Sequence, residues 1–197
     1  MPKTYVPLSP STLLPGTGFA HPAHMLPERV GFDESALSVM TDLELAGAVL
    51  IRPNDGIEEA NRRMMQRGVR LLLVVDESRT VAGLITANDI LGEKPLQVIT
   101  ERGGRRQDIV VRDIMTPQDR LEVLNLQDVR HSRVGHIVAT LKESGRQHAV
   151  VVDSGSNGRQ RVRGLFSLSQ IARQLGVSLQ TSEIAHTFSE IEALLTH

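Results

Sequence analysis

The chain contains an internal repeat, and this feature limits its fold more than any other. Two stretches, residues 83–90 and 164–171, share nearly the same order of glycine, apolar and hydroxyl residues. Each follows an apolar run that ends in aspartate. The spacing between equivalent residues grows from 75 at the upstream Met-Thr pairs (Met40 and Met115) to 81 at the glycines. Such slow growth indicates one duplicated module with loop insertions, and two copies of this kind tend to bury a shared interface that can hold a ligand.

Each repeat is predicted to fold in the order strand, helix, strand, strand, helix. In the first repeat, apolar residues within 57–64 recur at the spacing of one helix face. Asn54 or Asp55 can cap the start of this helix, Gly68 suits a left-handed cap at its end, and Gly145 is the matching stop in the second repeat. The five consecutive apolar residues 71–75 predict a strand that is buried on both faces.

Three segments lie outside the repeats. Residues 1–31 hold six of the nine prolines, which predicts an extended arm, with a poorly ordered tail as the alternative. Pro95 is expected to mark the end of the last helix of the first repeat. Residues 100–108 are predicted to form a flexible, basic and solvated linker. Residues 178–197 are expected to form a terminal helix with an apolar stripe that must pack on the body of the chain or on a second copy. The stripe consists of Ile184, Phe188, Ile191, Leu194 and Leu195.

The composition argues against several classes of protein. A formal net charge of −1 gives no general reason to bind nucleic acid or an anionic membrane, and the 3% aromatic content disfavours base stacking. No apolar stretch approaches the roughly 20 residues that a membrane span needs, and prolines interrupt the N-terminus where a signal peptide would be apolar. With no cysteine, disulfide and thiol chemistry are excluded, and a cytoplasmic location fits best.

Thr86 and Asp89 are placed at a predicted strand-to-helix junction, on one face of the helix. Free N–H groups at a helix start favour an anion, Gly83 allows close backbone approach, and the Thr86 hydroxyl can donate to a phosphate. An ionised Asp89 can accept from both hydroxyls of a ribose. The competing interpretation is a capping box, in which Thr86 caps the helix and Asp89 completes the cap. The motif alone favours the cap, and only its duplicated context favours a nucleotide site.

The duplicated layout resembles a tandem pair of CBS domains, a family named after cystathionine β-synthase. The resemblance covers about residues 33–176 and implies an α+β fold of two βαββα modules, 32–99 and 109–177, packed as a pseudo-twofold pair. It also implies regulatory binding of AMP, ADP, ATP or S-adenosylmethionine in the clefts between the modules, and dimerisation into a flat disc. The matching segments are 39–41, 73–76 and 83–90 in the first repeat, and 111–116, 150–153 and 164–167 in the second.

Carried over residue by residue, the resemblance makes Thr86 the phosphate-side hydroxyl and Asp89 the ribose carboxylate, with Ile85 beside them. The second repeat keeps the hydroxyl as Ser167, but it has Gln170 where the carboxylate is expected. Glutamine lacks the charge that strengthens hydrogen bonds to a ribose. One competent site is therefore expected at Thr86 and Asp89, and a weak or empty one at Ser167.

Family members often carry a basic residue just before the buried strand, where it faces the phosphates of the ligand. Arg70 and His148 stand close to those positions, so both are candidate ligand residues. The alternative for each is an ordinary polar residue at the start of a strand.

The expected function is a non-catalytic sensor that binds an adenine nucleotide, acts as a homodimer and signals to an unknown protein. The alternative is a ligand-free structural module that works by protein-protein interaction. An enzyme is disfavoured because no nucleophile or acid-base constellation stands out. No metal site is expected, since His21 and His24 have metal-like spacing but no third ligand nearby.

Overall fold

The computed structural model describes residues 26–155, 158–177, 190, 191 and 193. Its strands are β1 (Thr41–Asp42), β2 (Leu50–Ile51), β3 (Leu71–Val75), β4 (Val81–Thr86), β5 (Thr116–Pro117), β6 (Val123–Asn125), β7 (His148–Ser154) and β8 (Gln160–Ser167). Its α-helices are α1 (Ile57–Arg67), α2 (Ala87–Leu91), α3 (Lys94–Arg102), α4 (Val111–Ile114), α5 (Leu126–Arg130), α6 (Val134–Ser144) and α7 (Leu168–Gln174). Short 3-10 turns occur at Ala36–Val39, Arg106–Asp108 and Gln118–Arg120.

The strands form two four-stranded sheets with matching connections. One sheet has the order β2-β3-β4-β5 and the other the order β1-β8-β7-β6. Within each sheet, a parallel pair (β2 with β3, β6 with β7) leads into an antiparallel hairpin (β3 with β4, β7 with β8). The predicted strand, helix, strand, strand, helix order is present in both repeats, with additional helices, α3 in the first and α4 and α5 in the second. The α+β class with two repeated modules is therefore confirmed.

The edge strand of each sheet comes from the other repeat. Strand β5, near the start of the second repeat, pairs with β4 of the first, and β1, near the start of the first repeat, pairs with β8 of the second. Each exchange requires another part of the chain to approach closely at a glycine. A Cβ at Gly83 would collide with the backbone oxygen of Thr116, and one at Gly164 would lie 2.6 Å from the Sδ atom of Met40. The repeated glycines thus let the two repeats interlock.

Three apolar clusters account for the packing. One lies between the first sheet and its helices, one between the second sheet and its helices, and a third between the two sheets. Along β3, Leu72 and Val74 face the helices, whereas Leu71 and Leu73 face the other sheet. Both faces of the strand are buried, which confirms the prediction from its unbroken apolar run and explains why apolar and polar residues do not alternate.

Ion pairs and hydrogen bonds fix the two segments that enter the second sheet. The partly buried guanidinium of Arg163 pairs with Asp42 and, at 3.0 Å, with Glu44, which ties β1 to β8. Gln174 is buried, and its Nε2 atom donates to the carbonyl oxygens of Pro27 at 2.7 Å and Ser38 at 3.1 Å. The residues before β1 are therefore attached to the last helix of the second repeat.

Helix ends were predicted only in part. The left-handed caps at Gly68 and Gly145 are confirmed, each with φ of 62°. The predicted side-chain cap of α1 is wrong, because Gly56 occupies the N-cap without a side-chain bond and Asp55 instead accepts from the backbone N–H of Arg52.

The region after α2 differs from the sequence prediction. Pro95 does not end a helix; it lies in the first turn of α3, where its missing N–H has no helical partner to lose. Residues 100–108, predicted to be a flexible basic loop, instead form ion pairs with the rest of the chain. Arg102 pairs with Asp113 at 2.8 Å and Arg106 with Glu58 at 2.9 Å.

The outer segments fall largely outside the described residues. Most of the proline-rich arm and most of the terminal apolar stripe belong to this part. Of the stripe, Ile191 is described, and it is fully buried in the apolar cluster of the second repeat. This residue therefore packs on the body of its own chain.

Candidate functional site

Thr86 and Asp89 form a capping box at the junction of β4 and α2. One carboxylate oxygen of Asp89, Oδ2, accepts from the backbone N–H and from the hydroxyl of Thr86, both at 2.7 Å. The Thr86 hydroxyl oxygen in turn accepts from the Asp89 N–H at 3.3 Å. Helix α2 spans only five residues, so its dipole adds little to anion binding. The capping interpretation thus describes the local structure, and any ligand would bind to side chains that already serve the fold.

The second oxygen of the Asp89 carboxylate faces a cation that sequence reasoning missed. The Lys94 ammonium lies 2.6 Å from Asp89 Oδ1 and also donates to the carbonyl oxygen of Ile114 at 3.0 Å. The Asp89 side chain is 12% exposed and that of Lys94 43%. The only sequence feature that could have pointed to this contact is the position of Lys94 at the start of a helix, where the helix dipole disfavours a positive charge.

Arg70 of the first repeat and His148 of the second influence each other electrostatically. Burial and, to a lesser degree, the Arg70 charge lower the pKa of His148 to about 4, although the Asp89 charge acts in the opposite direction. His148 therefore lies within the electrostatic reach of two charged groups from the other repeat. Arg70 is exposed, and its guanidinium also contacts the Asn88 side-chain oxygen at 3.3 Å. A hydroxyl, a carboxylate, a guanidinium and a neutral imidazole thus share one region.

The matching position in the second repeat lacks these features. Ser167 lies opposite His148 in the β7-β8 hairpin and makes no capping bond to α7. Its hydroxyl lies 3.0 Å from that of Ser169. Gln170 is partly buried in the first turn of α7. The two repeats are therefore unequal in structure as well as in sequence.

The structure places Ile85 away from the interface. Its side chain is fully buried among the helices of the first repeat. Its neighbour Leu84 faces the other sheet instead, because successive side chains of a strand point to opposite faces.

A cleft of about 630 Å³ lies between the two sheets. Side chains of both hairpins form its walls, including Leu73 and Val75 from β3 and Val150 and Val152 from β7. Its volume is in the range of small-molecule sites. The cleft lies towards the hairpin tips, and Thr86, Asp89, Arg70, His148 and Ser167 are not among its lining residues. The predicted polar residues and this cleft thus occupy opposite ends of one interface.

Two other features of the described residues bear on function. Among them, no group of three or more His, Asp or Glu side chains is arranged to hold a metal ion, and His21 and His24 lie outside this part of the chain. None of the helices in this part is both long and apolar enough to cross a membrane.

Comparison with known proteins agrees with this architecture. Residues 38–95 match the family model of the CBS domain. A search of curated protein sequences found no significant match.

Three solved structures illustrate the similarity of fold. A conserved protein from Pyrococcus horikoshii is 24% identical, with a TM-score of 0.54, covering 78% of this chain and 100% of its own. A protein with CBS domains from Burkholderia ambifaria MC40-6 is 24% identical, with a TM-score of 0.50, covering 68% and 86%. The CBS domain pair of protein MJ0100, in complex with 5′-methylthioadenosine and S-adenosyl-L-methionine, is 19% identical, with a TM-score of 0.51, covering 73% and 97%. Residues 38–95 therefore match a CBS domain, and the chain across both repeats has the fold of a CBS-domain pair.

Proposed function

We propose that this protein is a regulatory module that binds an adenosine-containing ligand between its two CBS repeats. The candidate ligands are AMP, ADP, ATP and S-adenosylmethionine. The MJ0100 pair, which shares the fold, binds S-adenosyl-L-methionine and 5′-methylthioadenosine. The proposed role is regulatory rather than catalytic, and the ligand would act by favouring one of two arrangements of the repeats or of the subunits.

The observation that carries the proposal is that His148 of the second repeat lies within the electrostatic reach of Asp89 and Arg70 of the first. Asp89 offers an acceptor for a ribose diol, and the Arg70 guanidinium offers charge for a phosphate. His148 is held neutral by burial, so it can act as a donor or as an acceptor. The second repeat lacks the carboxylate, so we propose one strong site.

Isothermal titration with AMP, ATP and S-adenosylmethionine tests this proposal. Asp89→Asn should weaken binding at least tenfold, because an amide cannot accept from both hydroxyls with a full charge. Asp113→Asn is a matched control, since Asp113 also caps a short helix and pairs with an arginine, Arg102, but belongs to α4. Equal losses in both variants would indicate a folding effect and count against the site. A flat titration of the wild type would favour the alternative of a ligand-free structural module.

We propose that the protein acts as a homodimer and signals to a partner protein. Large apolar side chains on the helical side of the first repeat are highly exposed, namely Met65 (68%), Leu91 (66%) and Leu96 (65%). Burial of such side chains stabilises association. Light scattering at micromolar concentration should give twice the mass of 21.6 kDa, and a monomer mass would refute the dimer. The cytoplasmic location and the module bounds stay predictions from the sequence.

A further inference from the structure

The ion pair between Lys94 and Asp89 connects the proposed ligand site to the segment that joins the repeats. Lys94 opens α3, and its ammonium contacts two elements besides its own: the Asp89 carboxylate on α2 and the Ile114 carbonyl oxygen at the end of α4. Two residues after Ile114, β5 begins, and it pairs with β4. Strand β4 ends at Thr86. One ammonium therefore contacts both the proposed site and the segment that leads into β5.

Lys94 stands where local electrostatics disfavour it. A cation in the first turn of a helix interacts unfavourably with the helix dipole. The contacts of the Lys94 ammonium with Asp89 and with the Ile114 carbonyl oxygen compensate for this unfavourable interaction, and both partners lie outside α3. A residue that breaks a local rule and gains tertiary contacts is typical of a functional device.

The carboxylate has little spare capacity. Oδ2 of Asp89 already accepts twice from Thr86, and Oδ1 is held by Lys94 at 2.6 Å. A ribose diol binds best when both of its hydroxyls donate to one carboxylate. The accessible oxygen for such a diol is Oδ1, which the ammonium covers.

We propose that Lys94 is an internal competitor for Asp89, which a ligand diol displaces, and that its release from Ile114 transmits binding to the connection between the repeats. This inference rests on the proposed function. It assigns to Lys94 a regulatory role at that site: the ammonium lowers the affinity for diols in the free protein and couples the site to residues 94–114. Displacement frees the ammonium to solvent, because its side chain is already 43% exposed.

Adenosine is the suitable probe, because it carries the diol without phosphate charge. Lys94→Met keeps the length of the side chain and removes the charge, so adenosine should bind about three- to tenfold more tightly, in line with a partly exposed ion pair. Lys94→Arg should stay within about twofold of the wild type. Lys142→Met, on the distant helix α6, is the matched control and should leave the affinity unchanged.

Hydrogen exchange supplies a readout that ligand affinity does not. In the wild type, adenosine should speed amide exchange in residues 94–115, whereas in Lys94→Met exchange there should be fast without ligand and should not respond to it. Equal adenosine affinity in the wild type and in Lys94→Met would overturn the competition and leave the proposed function intact. If neither protein binds adenosine, AMP, ADP, ATP or S-adenosylmethionine, the proposed function fails, and the competition fails with it.

Discussion

Replacing His148 should change how the stability of this protein depends on pH. Burial, reinforced by Arg70, lowers the pKa of His148 to about 4 in the folded chain, against an ordinary value of 6.5 when unfolded. The unfolded chain therefore binds the proton more readily, and stability falls as the pH drops through 6.5 towards 4. The gap between the two pKa values corresponds to at most about 3.4 kcal/mol in the free energy of unfolding, with about 2 kcal/mol already lost at pH 5.

Urea unfolding of the wild type and of His148→Gln between pH 4.5 and 8 measures this effect. Carboxylates with lowered pKa values, such as Asp76, which accepts from the Ser78 hydroxyl and the Thr80 N–H, titrate alike in both proteins and cancel in the difference. The stability of the variant relative to the wild type should rise by about 2 kcal/mol from pH 8 to pH 5. Two parallel curves would refute the reasoning, since His148 would then titrate as it does in the unfolded chain.

Three further predictions concern packing and pairing, and chemical denaturation checks each of them. Gly83→Ala should lower the free energy of unfolding by about 2–4 kcal/mol, because the new Cβ meets a backbone oxygen of the exchanged edge strand. Gly164→Ala should lower it clearly less, because its Cβ meets a flexible methionine side chain. Equal losses in the two variants would contradict this. Arg163→Met should lower the free energy of unfolding by about 1–3 kcal/mol, because the Arg163 side chain is only 15% exposed and forms two ion pairs. Arg161→Met should lower it by under about 1 kcal/mol, because the Arg161 side chain is 60% exposed. Gln174→Leu should lower the free energy of unfolding by about 1–3 kcal/mol, because it leaves two backbone carbonyl oxygens without a donor. Unchanged stability would show that water replaces the amide.

The repeat by itself determined most of the fold. The unbroken apolar run 71–75 required a strand covered on both faces, and Gly68 and Gly145 required left-handed helix ends. These are local demands of side-chain burial and backbone sterics, so a sequence can display them directly. The repeat also placed Thr86 and Ser167 at equivalent junctions and showed that only the first repeat has a carboxylate nearby.

Tertiary structure alone decided what each of these residues contacts. The exchange of β1 and β5 between the sheets depends on close approach at two glycines, to a backbone oxygen at Gly83 and to a side chain at Gly164. Pairing between distant segments leaves no periodic signal in the sequence. The contact of Lys94 with Asp89 depends on α3 turning back over α2, in a region where Pro95 read as a stop although it starts a helix. The sequence thus determined which side chains the two repeats carry, because propensity and burial act locally. Which of those side chains share a site, and with which cation, was decided by long-range packing.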